Sequence, residues 1–91
     1  MNIKLELIKE EIKKGSIVVD VRTKQEYDTK HIEGSINITY DNILSGIRNY
    51  TDNKNKRIIL YCSNGSRSKI AHNLLTGFGY INVVDMGKIN L

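Results

Sequence analysis

Hydrophobic residues recur at helical spacing near the start of the chain. Leu5, Ile8 and Ile12 are three and four positions apart among Lys and Glu residues, so their side chains fall on one face of a helix. Gly15 follows where a helix commonly ends in a left-handed residue. This pattern predicts an amphipathic helix over residues 4–14.

Two later segments are instead short, continuous runs of mostly β-branched residues. Residues 17–21 read IVVDV and residues 58–61 read IILY, which is typical of parallel strands buried on both faces. Weaker patterns predict the other elements: a turn with a short helix at 23–31, a strand at 36–38, a helix at 41–50, a solvated loop at 51–57, a helix carrying Ile70, Ala71, Leu74, Leu75 and Phe78, and a last strand at 81–84.

The alternation of strands and helices predicts a single α/β domain over residues 1–91. We expect a central parallel sheet of four to five strands with helices on both faces. Ligands of such open sheets bind beyond the carboxyl ends of the strands. The segment Asp20-Val21-Arg22, Cys62 and Asp85 are all predicted to lie at such ends.

The composition is that of an ordinary globular protein, with 40% hydrophobic and 26% charged residues. The net charge is +4, but the basic residues are spread along the chain with few aromatic residues, and we expect no nucleic-acid partner. No apolar run reaches transmembrane length and no export signal is visible, so we expect no membrane partner and a cytoplasmic location. The positive field would still gather small anions.

The only cysteine, Cys62, lies in the segment YCSNGSRS at residues 61–68. It is either a small packing residue at a strand end or a nucleophile. Gly65 allows a tight turn from strand to helix, which directs successive amide N–H groups inward as an anion-binding nest, and Ser68 is a residue type that caps helices. A packing position needs none of these features, so the sequence favours a nucleophile whose thiolate is bound by the nest.

Arg67 follows Cys62 with four residues between them. We expect its guanidinium to point at the mouth of the loop and to hold a sulfur or phosphorus oxyanion through paired hydrogen bonds. The sequence therefore predicts Cys62 as the catalytic residue and the rest of the loop as substrate-binding, namely Ser63, Asn64, Gly65, Ser66, Arg67 and Ser68.

Several motifs occur in the order and spacing of one known family. They are Asp20-Val21-Arg22, Glu26-Tyr27, HIEGS at residues 31–35, YCSNGSRS at 61–68 and GYINV at 79–83. Each motif is weakly specific when taken alone. Together they make residues 4–87 resemble the single-domain rhodanese (thiosulfate sulfurtransferase-like) family.

The resemblance implies a rhodanese-like domain with sulfurtransferase activity. In that family the loop cysteine takes a sulfane sulfur from thiosulfate or another persulfide donor, becomes a persulfide, and passes the sulfur to cyanide or a thiol. The implied partners are a small anionic sulfur donor and a thiol or cyanide acceptor, with a protein thiol as a further candidate. No metal or organic cofactor is called for.

Two other functions stay open. The related cysteine phosphatases and arsenate reductases use a C-x5-R loop, in which one more residue widens the cradle for a tetrahedral oxyanion. This chain has C-x4-R between Cys62 and Arg67, and the tighter loop favours sulfur chemistry. The second alternative is a non-catalytic binding or regulatory module in which the cysteine is dispensable.

Four residues are candidates for supporting the loop. Asp20 and Arg22 either brace it, with the carboxylate accepting hydrogen bonds from the loop, or pair with each other or with surface charges. Glu26 and His31 are candidates for a pair behind the loop, although His31 is better interpreted as structural. His72 is predicted to face solvent, and the histidines and cysteine are spaced too irregularly to predict a metal site.

The chain departs from the family at both ends. Residues 1–3 are all that remains of the usual first strand, and the usual C-terminal helix is missing or truncated because the sequence stops at Leu91. That helix would cover one face of the sheet and flank the loop. We therefore expect a monomer or a homodimer formed over the uncovered face.

Overall fold

The computed structural model describes residues 3–91. In this part of the chain, four strands alternate with helices: α1 (Ile3–Lys13), β1 (Ile17–Asp20), α2 (Lys24–Thr29), β2 (Ile36–Asn37), a short 3-10 helix (Tyr40–Asn42), α3 (Ile43–Ile47), β3 (Ile58–Cys62), α4 (Ser66–Gly77) and β4 (Val83–Lys88). The strands form one parallel sheet in the order β2-β1-β3-β4. The predicted α/β class and parallel sheet are confirmed.

The central strands β1 and β3 are covered on both faces, as their continuous apolar runs predict. Val18 and Ile59 pack with Ile8 of α1 on one face, whereas Val19 and Leu60 face the opposite side and pack with residues of α3 and α4. Side chains of adjacent strand residues alternate between the two faces, which explains this division. Because β1 and β3 are parallel neighbours, their carboxyl ends lie side by side at one edge of the sheet.

Only part of the predicted apolar stripe on α4 is buried. Ala71 and Leu75 are fully buried, whereas Ile70, Leu74 and Phe78 are 45%, 38% and 55% exposed. The helical spacing groups all five residues on a broad face, but the contact with the sheet is narrower than that face. The α4 helix therefore docks through Ala71 and Leu75.

The last strand runs further than the sequence predicts. β4 continues to Lys88, so Asp85 pairs with Leu60 inside the strand and not at its carboxyl end. Asp85 Oδ1 accepts a hydrogen bond from the Gly87 N–H at 2.8 Å, and Gly87 has a φ of +68°. The hydrophobic pattern ends at Val84, but backbone pairing with β3 does not require apolar side chains and continues through this irregular stretch.

The predicted helix at residues 41–50 is divided into the 3-10 helix and the short α3, in which Ile43 and Ile47 are buried. None of the helices in the described part of the chain is long and apolar enough to cross a membrane.

The two chain ends were expected to differ from the family. No helix follows β4 within residues 3–91. Of the residues expected to supply a first strand, Met1 and Asn2 lie outside the described residues, and Ile3 belongs to α1.

Candidate active site

Cys62 is the last residue of β3, and α4 begins at Ser66. The chain must therefore pass from strand to helix within Ser63, Asn64 and Gly65. Gly65 makes this turn with a φ of +87°, a left-handed conformation that is costly for residues with a Cβ. The segment 62–68, called the Cys62 loop below, thus contains the glycine-centred turn that the sequence predicts.

The sulfur of Cys62 lies at the centre of this turn. The N–H groups of Gly65 and Ser68 donate to Sγ at 3.0 and 3.4 Å. The Ser68 hydroxyl oxygen lies 3.4 Å from Sγ and Asn64 Oδ1 lies 3.7 Å from it, so a protonated thiol donates to these oxygens. Cys62 and Ser68 are both 0% exposed. The donors therefore surround a sulfur that is shielded from water.

Two opposing effects act on the pKa of the Cys62 thiol. Burial raises the pKa because the charged thiolate loses its contact with water, whereas hydrogen bonds from the Ser68 side chain and from loop N–H groups lower it. The hydrogen bonds prevail, and the pKa lies below its ordinary value. The loop therefore favours the thiolate, which is the nucleophilic form of cysteine.

Ser68 does not cap α4, contrary to the prediction. The N-cap is Gly65, and no side chain caps this helix end. Ser68 is in the first turn of α4. While the thiol is protonated, the Ser68 hydroxyl donates to Gly65 O at 3.2 Å, and in the thiolate form its single hydrogen turns to the sulfur. Asn64 orders the turn instead, because its Oδ1 accepts hydrogen bonds from the N–H and the hydroxyl of Ser66 at 3.1 and 2.9 Å. The helix begins earlier than assumed, which places the Ser68 hydroxyl against the sulfur.

The sequence predicted that the Arg67 guanidinium points at the mouth of the loop, but in the structure it is directed at Glu26. Its Nη1 and Nη2 donate to Oε1 and Oε2 of Glu26 at 2.7 and 3.1 Å, and Nη2 also donates to Ser63 Oγ at 3.0 Å. This hydrogen bond with Arg67 is the main reason that the pKa of Glu26 falls to about 2. The ion pair joins α4 to α2 across residues that are 41 positions apart, so no local pattern could reveal it.

Glu26 and His31, which the sequence offered as a candidate pair, have other hydrogen-bond partners. Besides Arg67, Glu26 contacts Thr23 in a capping box: the Glu26 N–H donates to Thr23 Oγ1 at 3.2 Å, and the Thr23 N–H donates to Glu26 Oε1 at 3.2 Å. His31 instead stacks on the Tyr27 ring with centroids 3.7 Å apart, and its Nδ1–H donates to Tyr27 O at 2.7 Å. These contacts agree with the structural interpretation of His31, and the T-x-x-E pattern at residues 23–26 could have revealed the capping box.

Asp20 and Arg22 pair with each other, which is one of the two roles left open by the sequence. The buried Asp20 carboxylate accepts hydrogen bonds from Arg22 Nε at 3.0 Å and Nη2 at 2.7 Å. Arg22 Nη2 also donates to Lys30 O at 2.6 Å. The pair therefore fastens the end of β1 to the segment after α2.

Tyr61 has a role that the sequence did not suggest. Its hydroxyl accepts a hydrogen bond from the Ile32 N–H at 3.1 Å and lies 3.2 Å from Ser35 Oγ. Burial is the main reason that the pKa of Tyr61 rises to about 12, so the hydroxyl stays protonated. These contacts hold the segment before β2 against the end of β3, next to Cys62. Their partners are 29 and 26 positions from Tyr61, so no local signal could have shown them.

A cleft of about 660 Å³ opens beside the Cys62 loop. Its lining includes the cations Arg22 and Lys30, the carboxylate of Glu26, Ser63 and the C-terminal segment 89–91. Glu26 and Ser63 are the two residues that hold the Arg67 guanidinium, so this bridge borders the cleft.

His72 is half-buried rather than solvent-facing, and residues 3–91 contain no cluster of three His, Cys, Asp or Glu side chains that could hold a metal ion.

Comparison with known proteins gives concordant matches. The Rhodanese-like domain family matches residues 4–87. Thiosulfate sulfurtransferase PspE of Escherichia coli (strain K12) is 32% identical over 71 residues, which cover 78% of this chain and 68% of PspE. Thiosulfate sulfurtransferase GlpE of Pseudomonas syringae pv. syringae is 32% identical over 73 residues, which cover 80% of this chain and 69% of GlpE.

Solved structures share the fold. The structure of a rhodanese with anions from E. coli superposes with a TM-score of 0.74 at 30% identity, covering 79% of this chain and 86% of that one. The human single-domain sulfurtransferase TSTD1 gives a TM-score of 0.74 at 19% identity, over 89% of this chain and 83% of that one, which shows a likeness of fold alone. With a family match over residues 4–87 and relatives of this kind, the chain belongs to the rhodanese-like domain family.

Proposed function

We propose that this protein is a sulfurtransferase that moves a sulfane sulfur from thiosulfate or another persulfide donor to a thiol or cyanide through a persulfide on Cys62. The observation that carries the proposal is the set of groups around Cys62 Sγ: the N–H groups of Gly65 and Ser68 and the Ser68 hydroxyl, all within 3.4 Å. These groups stabilise negative charge on sulfur. The names of the relatives PspE and GlpE, both thiosulfate sulfurtransferases, support the same conclusion.

In the first half-reaction, the Cys62 thiolate attacks the outer sulfur of thiosulfate. A bond forms between the two sulfur atoms, the sulfur–sulfur bond of thiosulfate breaks, and its electron pair leaves with sulfite. Cys62 then carries a persulfide whose terminal sulfur is negatively charged. Preorganised N–H donors in a water-poor site suit such a charge.

In the second half-reaction, the acceptor attacks the terminal sulfur of the persulfide. The electron pair of the sulfur–sulfur bond returns to Cys62, which becomes a thiolate again, and the product is thiocyanate or a new persulfide. The two steps make a double displacement. The polar side chains of Ser63, Asn64 and Ser66 are exposed around the turn, where they can contact the donor or the acceptor.

The burial of Cys62 bears on this function. Because Cys62 is 0% exposed, the Cys62 loop has to move before a donor touches the sulfur. The same burial favours a second candidate function, a non-catalytic binding module in which Cys62 is a packing residue. The two functions differ in whether sulfur is ever added to this side chain.

Mass spectrometry tests the proposal directly. After incubation with thiosulfate, we expect the wild-type protein to gain one sulfur atom on Cys62 and to lose it to cyanide with formation of thiocyanate, whereas Cys62→Ser gains none. A wild-type protein without added sulfur, or equal turnover in Cys62→Ser, would contradict sulfur transfer. A partner protein that binds wild type and Cys62→Ser equally well would then favour the binding module.

A further inference from the structure

The geometry points to Glu26 as a specificity-determining residue that holds Arg67 in an ionic bridge beside the Cys62 loop and thereby selects against sulfur donors of high negative charge. This inference rests on the proposed sulfur transfer at Cys62. It concerns which donors the site uses, and it assigns Glu26 a role beyond the support of the loop.

The bridge occupies the anion-binding side of Arg67. Three hydrogen bonds from the guanidinium are directed to Glu26 and Ser63, at 2.7, 3.1 and 3.0 Å. The Arg67 and Glu26 side chains are 20% and 36% exposed, so water screens the pair only in part. A donor whose anionic oxygens bind the same N–H groups must displace the Glu26 carboxylate, which is already bound in the favoured two-point geometry.

The Glu26 carboxylate also faces the open cleft beside the Cys62 loop. Glu26 and Ser63 both line the cleft beside the Cys62 loop. Arg22, another residue of the lining, is balanced by its ion pair with Asp20 at 2.7 Å. With both arginines neutralised by partners, Lys30 is the remaining cation of the lining, and an incoming dianion meets the Glu26 carboxylate without the full attraction of either guanidinium.

The Glu26 charge persists under ordinary assay conditions. Its pKa is lowered to about 2, mainly by the hydrogen bond from Arg67, so the carboxylate stays ionised at neutral pH. The bridge is therefore best opened by substitution. Glu26→Gln removes the charge and retains the length of the side chain, and Gln serves as well as Glu at this position of a capping box.

Asp28→Asn is the matched control. Asp28 lies on the same helix, and its Oδ2 accepts a hydrogen bond from Lys24 Nζ at 2.6 Å. Its substitution removes one negative charge from α2 without touching Arg67. Thermal unfolding of both variants shows whether the helix is retained.

The assay compares thiosulfate, a dianion, with methanethiosulfonate, a monoanion. Both leave the same persulfide on Cys62, and they release sulfite and methanesulfinate respectively. The interaction between two unit charges a few ångströms apart in water changes a rate or equilibrium constant by a factor of about five. We therefore expect Glu26→Gln to raise kcat/KM about fivefold for each negative charge on the donor, so the thiosulfate-to-methanethiosulfonate ratio rises about fivefold, whereas Asp28→Asn leaves this ratio unchanged. An unchanged ratio in Glu26→Gln, or an equal rise in the control, overturns the inference.

Binding separates this inference from the proposed function. Titration calorimetry of thiosulfate with Cys62→Ser is compared with the same measurement on Cys62→Ser carrying Glu26→Gln, and we expect tighter binding in the latter. If the wild type transfers no sulfur but the double variant binds thiosulfate more tightly than Cys62→Ser does, the proposed transfer is overturned and the exclusion of anions by Glu26 is supported. Sulfur transfer by the wild type with unchanged binding and an unchanged donor ratio would overturn the role of Glu26 alone.

Discussion

Replacing Ser68 by alanine removes one of the groups that stabilise the Cys62 thiolate. The Ser68 hydroxyl oxygen lies 3.4 Å from Sγ, and the residue is 0% exposed, so water cannot take its place without rearrangement. The Ser68 N–H and the Gly65 N–H remain in Ser68→Ala, because both are backbone groups. In the thiolate form the single hydroxyl hydrogen of Ser68 turns from Gly65 O to the sulfur, and Gly65 O keeps the Lys69 N–H at 3.3 Å in both the wild type and Ser68→Ala. The variant therefore isolates the contribution of one side-chain hydrogen bond.

The magnitude follows from the charge of the acceptor. A hydrogen bond to a charged group contributes about 1.5–3 kcal/mol, and a neutral one about 1 kcal/mol or less. The thiolate loses the stronger bond and the protonated thiol loses the weaker one, which leaves a net preference of about 1 kcal/mol for the thiol. At a pH below the Cys62 pKa, the thiolate fraction in Ser68→Ala should therefore fall by a factor of about five.

The assay is a titration followed by the ultraviolet absorbance of the thiolate, with Cys62→Ala as the baseline. We expect the pKa of Cys62 to be higher in Ser68→Ala than in the wild type, and persulfide formation at neutral pH to slow by a similar factor. The matched control is Ser66→Ala, because the Ser66 hydroxyl donates to Asn64 Oδ1 at 2.9 Å and not to the sulfur. Identical titrations of Ser68→Ala and wild type, or an equal rise in Ser66→Ala, would refute the reasoning.

The other two predictions concern stability. Gly65→Ala should lower the free energy of unfolding by about 1–2 kcal/mol in urea, because Gly65 has a φ of +87°. Gly77→Ala is its control, since Gly77 has no positive φ and open space for a Cβ, and an equal loss there would argue against backbone strain. The Glu11 carboxylate accepts hydrogen bonds from Arg57 at 2.9 Å, which lower the pKa of Glu11 from 4.5 to about 2. This pair should contribute about 1 kcal/mol after allowance for the exposed guanidinium, fully present above pH 4.5 and lost as the pH falls toward 2. Acid unfolding of Glu11→Gln should lack that loss, and an unchanged acid profile would count against the pair.

Much of the fold follows from local patterns. The β-branched runs of β1 and β3 became strands buried on both faces, and the helical spacing of Leu5, Ile8 and Ile12 became α1. Periodicity predicts such elements because a side chain's direction depends only on its position along a regular backbone. Periodicity did not predict the end of β4, because pairing with β3 extends past the apolar residues to Lys88.

The candidate site divides in the same way. Its glycine-centred turn and the presence of a cysteine and an arginine in one short loop are properties of consecutive residues, and the sequence by itself determined them. The exact start of α4 was decided by the turn geometry, which placed Ser68 against the sulfur and made Gly65 the N-cap.

The partners of the loop were decided by tertiary structure alone. Glu26 and Arg67 are 41 positions apart, and they meet because parallel pairing of β1 with β3 brings the segments after both strands to the same edge of the sheet. The burial of Cys62 has a similar origin, because its side chain belongs to the core that α3 and α4 form against the sheet. A sequence determines which chemical groups are available and the local conformation around them. The charge and accessibility of the Cys62 sulfur depend on neighbours that only the folded chain supplies.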